Sequence, residues 1–360
     1  MQFSLSKKKP AAITGLDIEA GSVAATEVTV NGAASVGATA IGALPDGAFR
    51  EGEVADSEEL AAALKSFFAE HKLPKRVRIG VGNQGVVVRT VRLPAIEDPN
   101  EMEAAVRFQA QEQIPMPLDQ AVLEHQVVGG VPAEEGSMPQ VDVVVVAARR
   151  DMVASFLEPI RRAGLEPVGI DLSAFAMIRA LADATAQPAV EPGERPTEAI
   201  LYCNVGDVTN LAIARGRSCL FTRVSYTGLE AMAERLAAAR GISAELAAQW
   251  LTYVGLEWPV DSLQGDPETV AETRRALEDG VAALLDELRL SLDYYGAQEG
   301  ALPVGRIVLS GPGSSIPGLG ERMGERLGSA IEVVRPAALA GFEDAAAARL
   351  TLAYGLALEV

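Results

Sequence analysis

Two short segments of this 360-residue chain combine acidic and small residues in a pattern that suits phosphate chemistry. Residues 15–22 read GLDIEAGS, and residues 204–209 read NVGDVT. Each predicts a strand that ends in a tight turn and leads into a second strand. Backbone N–H groups at such a tip can hold a phosphate, and a carboxylate at the end of the first strand can hold a hydrated Mg²⁺ ion. Two facing copies would form a nucleotide clamp, with Asp17 as the candidate metal ligand.

A glycine-rich stretch near the C-terminus adds a third candidate contact. Residues 310–318 read SGPGSSIPG and stand between a predicted strand and a predicted helix, a context found both in phosphate loops and in plain strand-to-helix turns. The stretch lacks the spacing of the dinucleotide fingerprint and the lysine of the Walker A loop. The predicted nucleotide-binding residues are Asp17, Glu19, Gly21, Ser22, Asn204, Gly206, Asp207, Thr209, Gly311, Gly313 and Ser314.

The elements that must position these turns occur twice in the same order. Residues 11–43 predict three short strands, and a helix with one apolar stripe begins near Asp56. Residues 199–225 again predict three strands, followed by a helix that ends at Gly241. The repeated order indicates an internal duplication. Between the copies, residues 75–150 predict strand, strand, helix, strand, strand, which would form a small α+β subdomain.

Composition excludes several functional classes. The net charge of −18 argues against a nucleic-acid partner and against electrostatic docking on anionic lipid. No stretch is apolar enough to predict a membrane span, and the basic run at residues 7–9 has no apolar segment behind it, so we expect no signal peptide. Two cysteines do not make a disulfide framework, which favours a reducing cytoplasm.

Several segments outside the turns resemble a known family. They are GLDI at 15–18, EMEAAVR at 101–107, QIPMPLD at 113–119, VAAR at 146–149 and AGLEPV at 163–168. The Ile-Pro-Met-Pro element is the most discriminating, because general actin-fold enzymes lack it. Over essentially its whole length the chain resembles the PilM-like type IV pilus assembly proteins of the actin-like ATPase superfamily, which are related to FtsA.

The resemblance implies an α/β chain with an actin-like, ribonuclease H-like duplicated fold of two domains and an inserted small α+β subdomain. Its implied boundaries are 1–74 for the first actin-like subdomain, 75–150 for the insert, 151–186 for the return helices of the first domain, 187–345 for the second actin-like domain, and 346–360 for a C-terminal helix packing back on the first domain.

The implied function is that of an assembly adaptor on the inner face of the cell membrane. The expected partner is the cytoplasmic N-terminal tail of a PilN-like inner-membrane protein, bound in a groove beside the insert, with a pilus ATPase as a further partner and ATP with Mg²⁺ as ligands. We place the partner contacts in the insert and include Arg89, Arg92, Arg107 and Gln111.

The chain departs from the family pattern at the second turn. Asn204 stands where relatives carry an aspartate, and a neutral amide is a poor Mg²⁺ ligand unless Asp207 compensates from its shifted position. Residues 245–251 lack the Glu and Lys that contact ribose and base in nucleotide-binding relatives. No residue stands out as a general base, so we assign no catalytic residue and expect weak or absent ATP hydrolysis. The alternatives are an ATP-binding scaffold of a type II secretion-like system and a small-molecule kinase of the same fold.

Overall fold

The computed structural model describes residues 12–131, 138–185, 198–298 and 300–358. Its strands are β1 (Ile13–Glu19), β2 (Ser22–Asn31), β3 (Ala33–Ala43), β4 (Phe49–Arg50), β5 (Glu53–Val54), β6 (Arg76–Val81), β7 (Val86–Pro94), β8 (Ala121–Val131), β9 (Gln140–Arg149), β10 (Glu166–Leu172), β11 (Ala199–Val205), β12 (Thr209–Arg215), β13 (Ser218–Ser225), β14 (Val304–Ser310) and β15 (Ile331–Val333). Its helices are α1 (Ser57–His71), α2 (Pro99–Gln113), α3 (Arg150–Arg162), α4 (Ser173–Leu181), α5 (Leu229–Arg240), α6 (Ala244–Val254), α7 (Pro267–Gly296), α8 (Leu319–Leu327) and α9 (Asp344–Ala357).

Local chemistry explains where several helices begin. Asp56, Asp98 and Asp266 stand directly before α1, α2 and α7. The carboxylates of Asp56 and Asp98 each accept hydrogen bonds from two backbone N–H groups of the first turn, and that of Asp266 accepts one. These bonds satisfy donors that a helix start leaves without intrahelical partners. The 30-residue α7 keeps one apolar stripe along its length and buries it in the core of the second domain.

Two five-stranded sheets of the described chain have the same topology. In the first, the order is β3-β2-β1-β6-β10, and in the second it is β13-β12-β11-β14-β15. In both, the first three strands form an antiparallel meander, the fourth strand pairs in parallel with β1 or β11, and the fifth pairs in parallel with the fourth. The duplication predicted from the sequence is therefore confirmed, although the two copies share few residues.

Helices α4 and α9 pack together between the two sheets. Their buried side chains form one apolar cluster with residues of β2, β11, β12 and β14. Separate clusters fill the first domain and the second domain. As a result, α9 is the element through which the C-terminal segment contacts the strand β1 that carries Asp17.

The insert differs in one respect from the sequence expectation. Its sheet contains β7, β9 and β8, with α2 packed on one face. The strand predicted at residues 77–81 is β6, which pairs with β1 and β10 in the first sheet rather than within the insert. Sequence pattern alone did not reveal this, because a buried strand has the same apolar character in either sheet.

Gly15 allows the close approach of α9 to β1. A Cβ atom at this position would lie 1.9 Å from the carbonyl oxygen of Ala353, and backbone on both sides leaves no flexible group to yield. We expect Gly15→Ala to lower the unfolding free energy by about 1–3 kcal/mol, because the helix must shift. Chemical unfolding measures this, with Gly296→Ala as control, since a Cβ there meets no atom within 4 Å. Equal stability of the two variants would contradict the prediction.

Candidate functional site

The tips of the two predicted phosphate turns contact each other directly. The carboxylate of Asp207, after β11, accepts a hydrogen bond of 2.9 Å from the backbone N–H of Ala20, in the turn between β1 and β2. On the other side of the contact, Gly206 faces Glu19 so closely that a Cβ on the glycine would lie 2.2 Å from Oε1. One backbone N–H donor of the first turn is therefore hydrogen-bonded to a carboxylate of the second turn.

Arg349 of α9 lies at the centre of this contact. Its guanidinium makes a buried ion pair with Asp17, and its Nε lies 3.3 Å from the Glu19 carboxylate. The same side chain donates to the Ser22 hydroxyl at 3.0 Å and to the backbone carbonyl oxygens of Asp17 and Ser22 at 3.2 and 3.3 Å. Arg349 is only 7% exposed and Asp17 only 4%. A protein cation therefore stands beside the carboxylate that we predicted as the metal ligand.

Burial decides the protonation of the surrounding carboxylates. It raises the pKa of Glu19 to about 8, with Arg349 opposing the shift and Asp207 adding to it. Burial also raises the pKa of Asp207 to about 7, although the hydrogen bonds that its carboxylate accepts from the backbone N–H groups of Ala20 and Val208 oppose this rise. Burial also raises the pKa of Asp17, and its ion pair with Arg349 opposes this rise. At neutral pH the cluster is close to electrical balance only while Glu19 and Asp207 retain protons.

The glycine-rich loop packs against the second turn. A Cβ at Gly311 would lie 2.7 Å from Nδ2 of Asn204, and one at Gly313 would lie 2.6 Å from a methyl group of Val205. Asn204 donates to the Ser310 hydroxyl at 3.3 Å, while its buried Oδ1 has no hydrogen-bond partner. The glycines here allow protein-to-protein packing and leave little room for a base or phosphate beside Asn204.

The remaining predicted residues lie close by and have internal partners. Thr209 donates its hydroxyl to the carbonyl of Thr227 at 2.8 Å, and Ser314 donates to the carbonyl of Gly311 at 2.7 Å. Gly21 has a positive φ of 72°, which suits the tight turn, and the space beside it is open. The structure thus brings all eleven predicted residues to one region, where most of their polar groups are already paired.

These residues do not fit a Mg²⁺-nucleotide group in this conformation. The Arg349 guanidinium pairs with the candidate metal ligand Asp17, and the Asp207 carboxylate takes the N–H of Ala20 that a phosphate would need. In the part of the chain that the structure describes, no group of three or more His, Cys, Asp or Glu side chains is arranged to hold a metal ion.

A groove lies between the insert and the first domain. It has a volume of about 440 Å³. Val153, Ala154 and Leu157 of α3 and Val122 of β8 line it together with Arg150, Glu158, Arg161 and Arg162. Its lining is mostly apolar, and arginines surround it.

The four predicted partner residues lie away from this groove. Arg89 lines a second cavity of about 350 Å³, between β7 and the second domain. Arg92 pairs with Asp142 of β9 at 2.9 Å, and Arg107 lies 3.6 Å from Glu103 on α2. Gln111 is exposed on the same helix. The insert is thus the common element, but α3 supplies most of the groove.

Residues 15–360 match the family model described as type IV pilus assembly protein PilM. The chain belongs to the PilM family. No helix in the described ranges combines the length and apolar character needed to cross a bilayer.

Solved structures agree with the PilM assignment. The chain is similar to one from a PilM–PilN type IV pilus biogenesis complex, with a TM-score of 0.78 and 29% identity over 97% of this chain and 98% of that one. It is also similar to the ethanolamine utilization protein EutJ from Carboxydothermus hydrogenoformans, with a TM-score of 0.54 and 13% identity over 97% and 89% of the chains. A third similar structure is MreB5 of Spiroplasma citri bound to ADP, with a TM-score of 0.50 and 12% identity over 97% of this chain and 95% of that one. The last two likenesses concern the fold alone, and together with the sheets they confirm the predicted actin-like class.

Sequence reasoning missed Arg349 in this PilM-family chain. A signal was present, because residues 345–358 read AAAARLTLAYGLAL and Arg349 is the single charged residue among small and apolar ones. An arginine in such a helix is rarely buried without an anionic partner. The partner itself, Asp17, lies 332 residues away and has no sequence signal that links it to the helix.

Proposed function

We propose that this protein is an adaptor of type IV pilus assembly that binds the cytoplasmic N-terminal tail of a PilN-like inner-membrane protein. The groove between α3 and β8 is the observation that carries the proposal. The similar chain of known structure comes from a PilM–PilN complex, which supports a partner of this kind. Binding to such a partner would hold the protein at the inner face of the membrane.

The lining of the groove suits a short peptide with apolar side chains. Val122, Val153 and Leu157 offer an apolar floor on which two or three such side chains can be removed from water. The nearby guanidinium groups of Arg150 and Arg161 can donate to main-chain carbonyl groups of the peptide, while Arg162 pairs with Glu58 and Glu158 and its stem extends the apolar surface. With three arginines against the carboxylate of Glu158, the lining is basic although the whole chain carries a net charge of −18.

We further propose that the nucleotide site is degenerate and that the chain is not a turnover ATPase. The ion pair of Arg349 with Asp17 and the contact of Asp207 with Ala20 support this view, because both use groups that a Mg²⁺-nucleotide would need. Asn204 in place of a carboxylate supports it independently. The two turns would then be held together by the protein's own charges, and tail binding would not require ATP.

Filling the groove is the direct test of the tail site. Ala154 is exposed on α3 and lines the groove, so we expect Ala154→Trp to occupy it without disturbing the core. The affinity for a synthetic PilN-like tail peptide should fall about tenfold or more, measured by calorimetry with the full-length protein. The matched control is Ala104→Trp, at an exposed position of α2 in the insert, which should bind the peptide normally.

The two parts of the proposal fail in different ways. Equal peptide affinity of Ala154→Trp and the wild type would refute the groove as the tail site. Peptide binding that appears only after addition of ATP and Mg²⁺ would refute the degenerate nucleotide site and leave the groove assignment intact. Steady phosphate release by the pure protein would have the same meaning.

A further inference from the structure

Helix α6 carries apolar residues on two faces. Ala247, Leu251 and Val254 are buried in the core of the second domain. Leu246, Trp250 and Tyr253 repeat this spacing shifted by one residue; Leu246 and Tyr253 are exposed, and Trp250 is partly buried against the edge of the core. Leu246 is 41% exposed and Tyr253 is 49% exposed. A surface helix that serves only its own core needs one such stripe, so the exposed Leu246 and Tyr253 of the second stripe are available to a partner.

The outer stripe and the loop after it form what we call the aromatic face, made of Leu246, Trp250, Tyr253 and Trp258. Trp258 is 55% exposed. Trp250 and Trp258 are the only tryptophans of the chain. Tryptophan and tyrosine are the residue types that contribute most often to binding energy at protein interfaces.

Hydrogen bonds hold the aromatic face in place. The rings of Trp250 and Tyr253 meet edge to face, with centroids 5.6 Å apart. The Tyr253 hydroxyl donates to the carbonyl of Gln264 at 3.1 Å and accepts from the Gln264 N–H at 3.2 Å. Arg274 donates to the carbonyl of Trp258 at 2.5 Å. Because this surface is already ordered, this protein would lose less conformational entropy when a partner binds.

The segment that carries the aromatic face is acidic, although the guanidinium of Arg274 contacts it at the carbonyl of Trp258. Residues 241–273 contain no Lys, Arg or His, and their acidic residues are Glu245, Glu257, Asp261, Asp266, Glu268 and Glu272. Arg240 pairs with Asp266 and Glu268, and Arg275 pairs with Glu272. Glu245, Glu257 and Asp261 are exposed and make no ion pair with the described part of the chain. With the guanidinium of Arg274 counted against these three carboxylates, the surface beside the exposed rings of Tyr253 and Trp258 is net negative.

We propose that the aromatic face docks a basic amphipathic helix of a partner protein. Its apolar side chains would pack on Leu246 and the rings, while its Lys or Arg residues would face Glu257 and Asp261 and the π-faces of Trp258 and Tyr253. An anionic membrane would be repelled by the same carboxylates. The arginine-lined groove beside the insert has the opposite local charge, so the two surfaces select different partners.

A synthetic helical peptide of Leu and Lys with one apolar face is the probe. Titrated into the full-length protein, it should shift the emission of Trp250 and Trp258 to shorter wavelength and saturate at one peptide per protein.

Leu246→Ser and Trp258→Ser should each weaken binding of this peptide about tenfold. The matched controls are Leu290→Ser and Tyr294→Ser, at apolar positions of α7 that are 55% and 56% exposed. These two variants should bind the peptide with unchanged affinity. Glu257→Gln with Asp261→Asn should reduce both affinity and its salt dependence.

Each other outcome overturns the proposal. Absence of saturable peptide binding would overturn it. An equal loss of peptide affinity in the α7 control variants and in the variants of the aromatic face would also overturn it. A scrambled peptide of the same composition that binds as well as the amphipathic one would show that charge alone is responsible. Binding of the protein to anionic vesicles through Leu246 and Trp258 would assign the surface to a membrane instead.

Discussion

Arg349→Met is expected to lower the unfolding free energy of this protein by about 3–5 kcal/mol at pH 7. Methionine keeps much of the volume of the side chain but removes the cation that pairs with Asp17 and Glu19. These carboxylates are 4% and 8% exposed, so water cannot replace the lost partner. Asp17 must then take up a proton or leave the interior, and both cost free energy. Urea unfolding followed by circular dichroism measures the loss.

A double-mutant cycle separates the ion pair from the packing of α9. Asp17→Asn removes the charge that Arg349 neutralises, so the double variant Arg349→Met with Asp17→Asn should be more stable than the sum of the two single losses implies. Arg275→Met, at an exposed i,i+3 pair of α7, serves as control and should have almost no effect. Strictly additive losses would show that the side chains act by packing alone.

Stability is expected to fall as the pH rises from about 4.5 to about 8 through Glu19. Its pKa is raised from the ordinary value of 4.5 to about 8, so in this range the folded protein holds a proton that the unfolded chain releases. Asp207 acts in the same direction between 3.8 and about 7. Each such proton changes the unfolding free energy by up to about 1.4 kcal/mol per pH unit. The stabilisation by each proton is fully present below the pKa of the group in the unfolded chain. It is lost as the pH rises through the pKa of the group in the folded protein.

Neutral variants isolate this contribution from the other carboxylates of the chain. Glu19→Gln and Asp207→Asn keep the shape of the side chains but carry no titrating group. The difference in unfolding free energy between each variant and the wild type should therefore shift in favour of the variant as the pH rises from 5 to 8. The same difference for Glu245→Gln, an exposed position, is the control. A pH-independent difference for Glu19→Gln would contradict the assigned protonation state.

Both predictions concern the link between the two halves of the fold. Asp17 and Glu19 belong to β1 of the first sheet, Asp207 follows β11 of the second, and Arg349 belongs to the helix between them. The contact of Asp207 with Ala20 joins the halves without a ligand. A variant that weakens this cluster should therefore also loosen the two halves relative to each other.

Sequence pattern alone predicted the elements that depend on neighbouring residues. The helix predicted to begin near Asp56, the three strands predicted within residues 199–225 and the helix end predicted at Gly241 are confirmed, because apolar periodicity, Asp caps and Gly breaks are all local signals. The small hairpin of β4 and β5 was missed, since two-residue strands carry no periodicity. The placement of β6 in the first sheet was missed because pairing partners are not written in the strand itself.

The sequence by itself determined the duplicated actin-like fold, the family and the residues that meet at the two turns. Only the tertiary structure decided what those residues do. It placed Arg349 against Asp17 across 332 residues, and it turned one stripe of α6 outward and the other inward. It also formed the groove from α3 and β8, which belong to different units. The physical reason is that helix and turn signals act over a few residues, whereas ion pairs, burial and grooves depend on which distant surfaces the packing brings together.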